Sequence, residues 1–213
     1  MSVWIGGMFL GAGRLDWIRG WVSVAIYIFS LTFVGTVMRR SSPGLMTERA
    51  KGPRKDTKPY DRVFLPMIML LGLFQPAVAG WEAGCAQCRV LSFDWVYAGA
   101  ALCILASALV AWVMAVNRHA ETSVRIQNDR GHTVISTGPY RFVRHPMYVG
   151  CILMFAGFPL VWGATKWAWY ISAAQGVIFI SRTVLEDRTL RAELPGYAQY
   201  AAVTRYRLIP GVW

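Results

Sequence analysis

Residues 95–116 read WVYAGAALCILASALVAWVMAV, 22 consecutive positions without a charged side chain. At 1.5 Å per residue a helix of that length is about 33 Å long, close to the ~30 Å hydrocarbon core of a bilayer. A surface helix of a soluble domain would carry charge along its outer face. The stretch is therefore read as a membrane span, and it sets the class of the whole chain.

Three more apolar runs surround it. Residues 20–38 lie between Trp17 and Trp21 at one edge and Arg39-Arg40 at the other. Residues 63–81 contain Pro66 and Gln75-Pro76, where kinks are expected, because neighbouring helices re-satisfy the carbonyls a proline frees. Residues 148–181 have Lys166 as their only charge, and as one helix they would extend about 50 Å, too far for a single crossing. Gly157, Pro159, Gly163 and Lys166 gather near the middle, so this run is read as a tight helical hairpin. The expectation is an all-α integral membrane protein with about five transmembrane helices, or three if the hairpin only re-enters.

Composition agrees. Of the 213 residues 55% are hydrophobic and only 15% charged, and the mean hydropathy is +0.39. That is too little charge to cover a soluble domain, and the pattern excludes disorder, collagen-like sequence and a disulfide scaffold. The formal net charge is +11, from 22 Lys+Arg against 11 Asp+Glu. With five crossings, eighteen of those cations fall on one side, leaving Arg14, Arg19, Arg89 and Lys166 on the other. By the positive-inside rule the N-terminus is outside and the C-terminus cytoplasmic. So arranged, the charge reads as contact with anionic membrane lipid and not with nucleic acid. No cation precedes Arg14, and the first apolar run is short and Gly-rich, so no cleavable signal peptide is expected. Gly11-Ala12-Gly13 follows no strand and reads as a flexible lead-in.

Chemistry must reside in the polar segments flanking the hairpin, 127–148 and 182–213. Such a hairpin brings them together in space. Arg182 and Glu186 stand four apart on one helix face, where an ordinary ion pair is the plain reading. His132, Tyr140, His145 and Tyr148 cluster upstream, and ionisable groups at the mouth of a membrane bundle are a functional hypothesis by default.

The string from Gly138 to Gly150, GPYRFVRHPMYVG, resembles the signature of the isoprenylcysteine carboxyl methyltransferase family, as do Glu186-Asp187, Gly196-Tyr197-x-x-Tyr200 and the closing Arg207-Leu-Ile-Pro210. The resemblance covers about residues 117–213. It implies a single membrane domain over 1–213, with three spans in 1–116 and a methyltransferase catalytic region in 117–213. It also implies a cytoplasmic pocket for S-adenosyl-L-methionine, formed by the flanking polar segments. Matched position by position, the resemblance assigns cofactor contacts to Gln127, His132, Thr133, Val134, Ile135, Tyr140, His145, Pro146, Met147, Tyr148 and Glu186. It places Arg182 beside the substrate as the catalytic residue. The link from Gln127 to His132 is shorter than in the eukaryotic members, and Asp187 stands where the family often has Glu.

The acceptor implied is the carboxylate of a prenylated or lipid-like substrate entering from the bilayer. Such a carboxylate is ionised at pH 7 and needs no general base, whereas a phospholipid amine would have to lose a proton first, beside an unhelpful arginine. Phospholipid N-methyltransferases share the Arg-His-Pro-x-Tyr string and stay as an alternative, as do an NADPH-dependent reductase of the sterol-reductase type and a membrane scaffold without activity. Cys85 and Cys88 form a CxxC in a short outside loop. Without a nearby His they fall short of a zinc site, and no metal is expected. A local disulfide is open to them on an oxidising side. Short length, Arg-rich loops and the outside CxxC read as a bacterial member in the inner membrane, where the acceptor would be a small isoprenoid or lipid carboxylate.

Overall fold

A computed structural model describes residues 2–213. Among them are eight α-helices and no strand: α1 (Ser2–Ala12), α2 (Ile18–Ser41), α3 (Pro43–Ala50), α4 (Asp61–Gly84), α5 (Trp95–Val116), α6 (Pro146–Trp162), α7 (Trp167–Glu193) and α8 (Tyr197–Val203). Helices α2, α4 and α5 are long and apolar enough to cross a membrane. Helix α4 continues through both Pro66 and Pro76.

The run 148–181 breaks into two helices at the far end of the Gly157–Lys166 cluster. Gly157 and Pro159 lie inside α6, and the chain turns only at Gly163, which takes a left-handed conformation (φ 76°). A side chain there would also collide with the Arg19 guanidinium. Gly157 serves packing instead. A Cβ on it would come within 2.6 Å of the Cys103 sulfur, and one on Gly99 within 2.7 Å of the Gly157 carbonyl, so α5 and α6 approach backbone to backbone through small residues.

The first eleven described residues are a helix, not a loose lead-in. Gly11 ends up where a Cβ would meet the Ala77 carbonyl oxygen at 2.2 Å, and Gly80 where one would meet the Met8 carbonyl oxygen at 2.0 Å. Gly7 and Gly11 on α1 thus mate with Gly80 and Gly84 on α4, two small-xxx-small ridges locked together. The sequence reading missed this because α1, at about 16 Å, is too short to register as a span.

Helices α4 and α7 meet along a seam that is polar at both ends and at its middle. At one end the buried Glu82 carboxylate accepts the backbone N–H groups of Lys166 (2.9 Å), Trp167 (3.1 Å) and Ala168 (3.1 Å). It satisfies three of the orphan donors of α7 and meets its dipole with a negative charge. Midway, Gln75 donates to Ser172 Oγ at 2.7 Å. At the far end Asp61 holds Arg182. Helix α7 has 27 residues, so about 18 Å of it beyond Ser181 projects past the apolar run. That projecting stub carries Arg182, Glu186 and Asp187.

Candidate active site

The site grows from the chain after α5. Residues 120–124 join no sheet, and side chains from three helices hold their backbone in place. Arg49 Nη1 donates to the Ala120 carbonyl (2.6 Å), Arg182 Nη2 to the Thr122 carbonyl (2.8 Å), and Val124 N–H to Asp61 Oδ2 (2.6 Å). From this stretch Asn117, His119, Ala120, Glu121, Ser123, Val124, Arg125 and Gln127 face one cavity.

Around Gln127 the chain folds back on itself. Gly131 is left-handed (φ 58°), which lets the Gln127 carbonyl accept both Arg130 N–H (2.9 Å) and His132 N–H (3.2 Å). The Gln127 side chain is spent on bracing: its Nε2 donates to the His119 carbonyl (2.6 Å), and its Oε1 accepts Arg130 Nη1 (3.0 Å). His132 Nδ1 accepts the Gln127 N–H (3.3 Å), and the His119 and His132 rings lie 4.7 Å apart. Burial first, then the charges of His119 and Arg125, lower the His132 pKa from 6.5 to about 4, so the imidazole is neutral at pH 7. Arg125 grips Glu121 at 2.8 Å through both Nε and Nη2, and reaches Asp129 (2.7 Å) and Asp56 (3.1 Å) through Nη1.

The second wall starts at Gly138, left-handed at φ 58°. Tyr140 Oη accepts from Asn117 Nδ2 (2.6 Å), and the Tyr140 carbonyl accepts Tyr200 O–H (2.7 Å). His145 and Pro146 then open α6, the proline in the first turn, where its missing N–H costs nothing. His145 N–H bonds the Arg207 carbonyl (3.0 Å) and Arg144 N–H the Tyr206 carbonyl (2.9 Å), so the C-terminal tail lies along the Arg-His-Pro string.

Asp187 ties these parts together. Its buried carboxylate takes Arg144 Nε (2.7 Å), Tyr197 O–H (3.0 Å), Arg191 Nε (3.2 Å) and Arg207 Nε (3.2 Å). Burial alone would raise its pKa, but the His145 ring 3.6 Å away and the hydrogen-bonded Arg144 guanidinium hold it well below the ordinary carboxylate range. Asp187 is thus a hub joining α7, α8, the tail and the entry to α6.

Glu186, its neighbour, points the other way and accepts the Tyr148 hydroxyl. Arg182 does not pair with Glu186 as their four-residue spacing suggested. Its guanidinium lies 5.1 Å over the Tyr148 ring and forms a two-point pair with Asp61, Nε to Oδ1 at 2.7 Å and Nη2 to Oδ2 at 2.9 Å. The bidentate edge expected for a substrate carboxylate is therefore occupied, which leaves Nη1 as the group with no protein partner among the described residues.

Together these walls line a narrow cavity of about 90 Å³, below the range usual for small-molecule sites. Eleven of the twelve residues singled out from the sequence line it, from Gln127, His132, Thr133, Val134 and Ile135 through Tyr140, His145, Met147 and Tyr148 to Arg182 and Glu186. Pro146 lies one residue behind the wall. Sequence reasoning missed Asn117, His119, Glu121 and Arg125, whose nearness to the Arg-His-Pro string was the available signal. It also missed Asp61, Tyr197 and Tyr200 as partners of the site.

Residues 99–192 match the model of the Isoprenylcysteine carboxyl methyltransferase (ICMT) family. The match contains α6, most of α7 and both walls of the cavity, and it is the family that the Gly138–Gly150 string resembles. The segment is thus similar to a family of membrane methyltransferases. No curated protein matches the chain.

Proposed function

We propose that this chain is an integral-membrane, S-adenosylmethionine-dependent methyltransferase acting on the carboxylate of a prenylated or lipid-like substrate. The observation that carries the proposal is the cavity itself. It gathers the methyltransferase-family positions from two separated segments around Arg182 and Glu186, at the mouth of a helical membrane bundle.

On this reading the chain crosses the bilayer five times, with α6 and α7 as a hairpin. Helix ends support that count. Arg19 at the start of α2 donates to the Leu91 carbonyl (2.7 Å), and Thr165 to the Arg89 carbonyl (2.9 Å), so the turns before α2, after α4 and after α6 share one face. The loop after α2, the loop after α5 and the C-terminal tail share the other, which holds the cavity and most of the cations. That face is cytoplasmic by the positive-inside rule.

The residues present suit the cofactor. The Glu186 carboxylate, on the cavity wall, favours a cation there. His145 Nε2 is buried without a hydrogen-bond partner among the described residues, 3.6 Å from Asp187 Oδ1. Neutral His132 and the backbone at Thr133, Val134 and Ile135 complete a polar and apolar rim. When bound, S-adenosylmethionine supplies a methyl group already activated on a sulfonium, which an ionised carboxylate takes in line without giving up a proton. Arg182 Nη1 orients that carboxylate, and Asp61 keeps the guanidinium plane fixed while it does so, which is positioning chemistry and not base catalysis.

The test is methyl transfer by the full chain in lipid nanodiscs, supplied with methyl-labelled S-adenosylmethionine and N-acetyl-S-farnesylcysteine. A base-labile methyl ester is the expected product. Label appearing only in a base-stable, amine-linked lipid would replace the proposal with phospholipid N-methylation.

A further inference from the structure

Arg49 lies on α3, outside the family-matched segment, and it takes no part in the reading above. It is half-buried, and no carboxylate lies within 4.0 Å of it among the described residues. The other carboxylates on this face are engaged: Glu48 with Lys51, Glu121 and Asp56 with Arg125, Asp129 with Arg54, Asp187 with Arg144, Glu193 with Lys58, and Glu186 with the Tyr148 hydroxyl. The remaining cations without an acid partner on this face, such as Arg39, Arg40, Arg118 and Arg205, are exposed to solvent. Arg49 alone is withdrawn from water with a single protein acceptor, the Ala120 carbonyl at 2.6 Å. A buried charge without a counter-ion is costly, so this one is short of an anion.

Its position says which anion. Ala120 lines the cavity. Two residues further, the Thr122 carbonyl is held by Arg182 Nη2 at 2.8 Å. Carbonyls two residues apart lie no more than about 7 Å from each other in any conformation. The two guanidiniums therefore stand near each other on residues 120–122, close enough that burial first and then the Arg182 charge lower the Arg49 pKa, with Cys151 and Glu121 offsetting part of it. Asp61 is the one carboxylate within 4.0 Å of either guanidinium among the described residues.

We propose that Arg49 and the free Nη1 of Arg182 form a two-pronged anion subsite for the acceptor's carboxylate head group, with Arg49 determining the preference for an anionic acceptor over a neutral one. The inference rests on the methyltransferase reading. It accounts for a carboxylate being held even though Asp61 already occupies the bidentate edge of Arg182. Asp61 contacts Arg182 alone, which leaves Arg49 without an acid in contact to meet the incoming group.

The experiment measures binding of N-acetyl-S-farnesylcysteine and of its carboxamide to the full chain in detergent, with S-adenosylhomocysteine bound. Wild type is expected to bind the carboxylate at least tenfold more tightly than the carboxamide. R49Q should erase that difference by weakening the carboxylate alone, while S-adenosylhomocysteine affinity stays within twofold. R49K, which keeps the charge, should retain most of the preference, and if R49Q does not fold, a severalfold loss of carboxylate affinity alone in R49K supports the subsite. A tenfold preference surviving in R49Q, R49K binding both ligands like wild type when R49Q does not fold, or wild type that fails to distinguish or bind the two ligands, would overturn it. Failure of wild type to bind S-adenosylhomocysteine overturns the methyltransferase reading itself, and the subsite with it.

Discussion

Asp61 and Arg182, 121 residues apart in the chain, meet in a two-point ion pair of 2.7 and 2.9 Å with both side chains almost wholly buried. The pair joins the start of α4 to the stub of α7 and, through Asp61 Oδ2 and the Val124 N–H, to the wall of the cavity. It makes the N-terminal half of the chain part of the site.

Removing one partner leaves the other buried and uncompensated. Asp61→Asn should destabilise the protein by about 3–5 kcal/mol, read as a lowered thermal midpoint in detergent. Adding Arg182→Gln should recover part of that loss, since contacting residues are not additive. A double variant as unstable as the summed single ones would mean that the two side chains act independently.

Asp187 gathers three arginines and a tyrosine around one carboxylate. Asp187→Asn should release the tail, seen as rapid proteolytic cleavage beyond Thr204 and a loss of S-adenosylhomocysteine binding, because Arg144 and His145 would lose what holds them. An unchanged cleavage pattern would show that the tail is held elsewhere.

His132 gives the site a pH dependence. Its pKa is about 4 when folded against an ordinary 6.5, so the opened chain takes up a proton that the folded site refuses. The folded site is favoured fully above pH 6.5 and loses that advantage as pH falls from 6.5 toward 4. His119, Arg125, Arg130 and Glu121 face the ring; the three bases deepen the effect, and Glu121 offsets part of it. S-adenosylhomocysteine binding should weaken across this window, and His132→Asn should flatten the profile.

Glu82→Ala strips α7 of its cap. A loss of about 1–2 kcal/mol is expected from the missing hydrogen bonds, with Glu82→Gln, which keeps an acceptor, losing less. Equal losses in both would place the effect in the charge and not in the hydrogen bonds.

The spans were legible because bilayer thickness writes itself into uncharged runs such as 95–116, and the cavity-lining positions because the Arg-His-Pro string is local. What was not legible is long-range. Nothing in the spacing of Asp61 announces Arg182, and the plain expectation paired Arg182 with Glu186, its helical neighbour. Gly157 and Pro159 looked like a turn, yet α6 runs through both, since a glycine that permits a bend also permits close helix contact. The polar residues between Asn117 and Gln127 escaped notice because they form no local motif, and the intervening Ala120, Val124 and Ile126 read only as packing.

The central claim is that the cavity binds the methyl-donor cofactor, and titration calorimetry of S-adenosylhomocysteine against detergent-purified full chain tests it most directly, with NADPH run alongside. Saturable binding in wild type, abolished in Glu186→Ala, with NADPH silent, is the result expected. No binding, binding indifferent to Glu186→Ala, or a response to NADPH instead would contradict it.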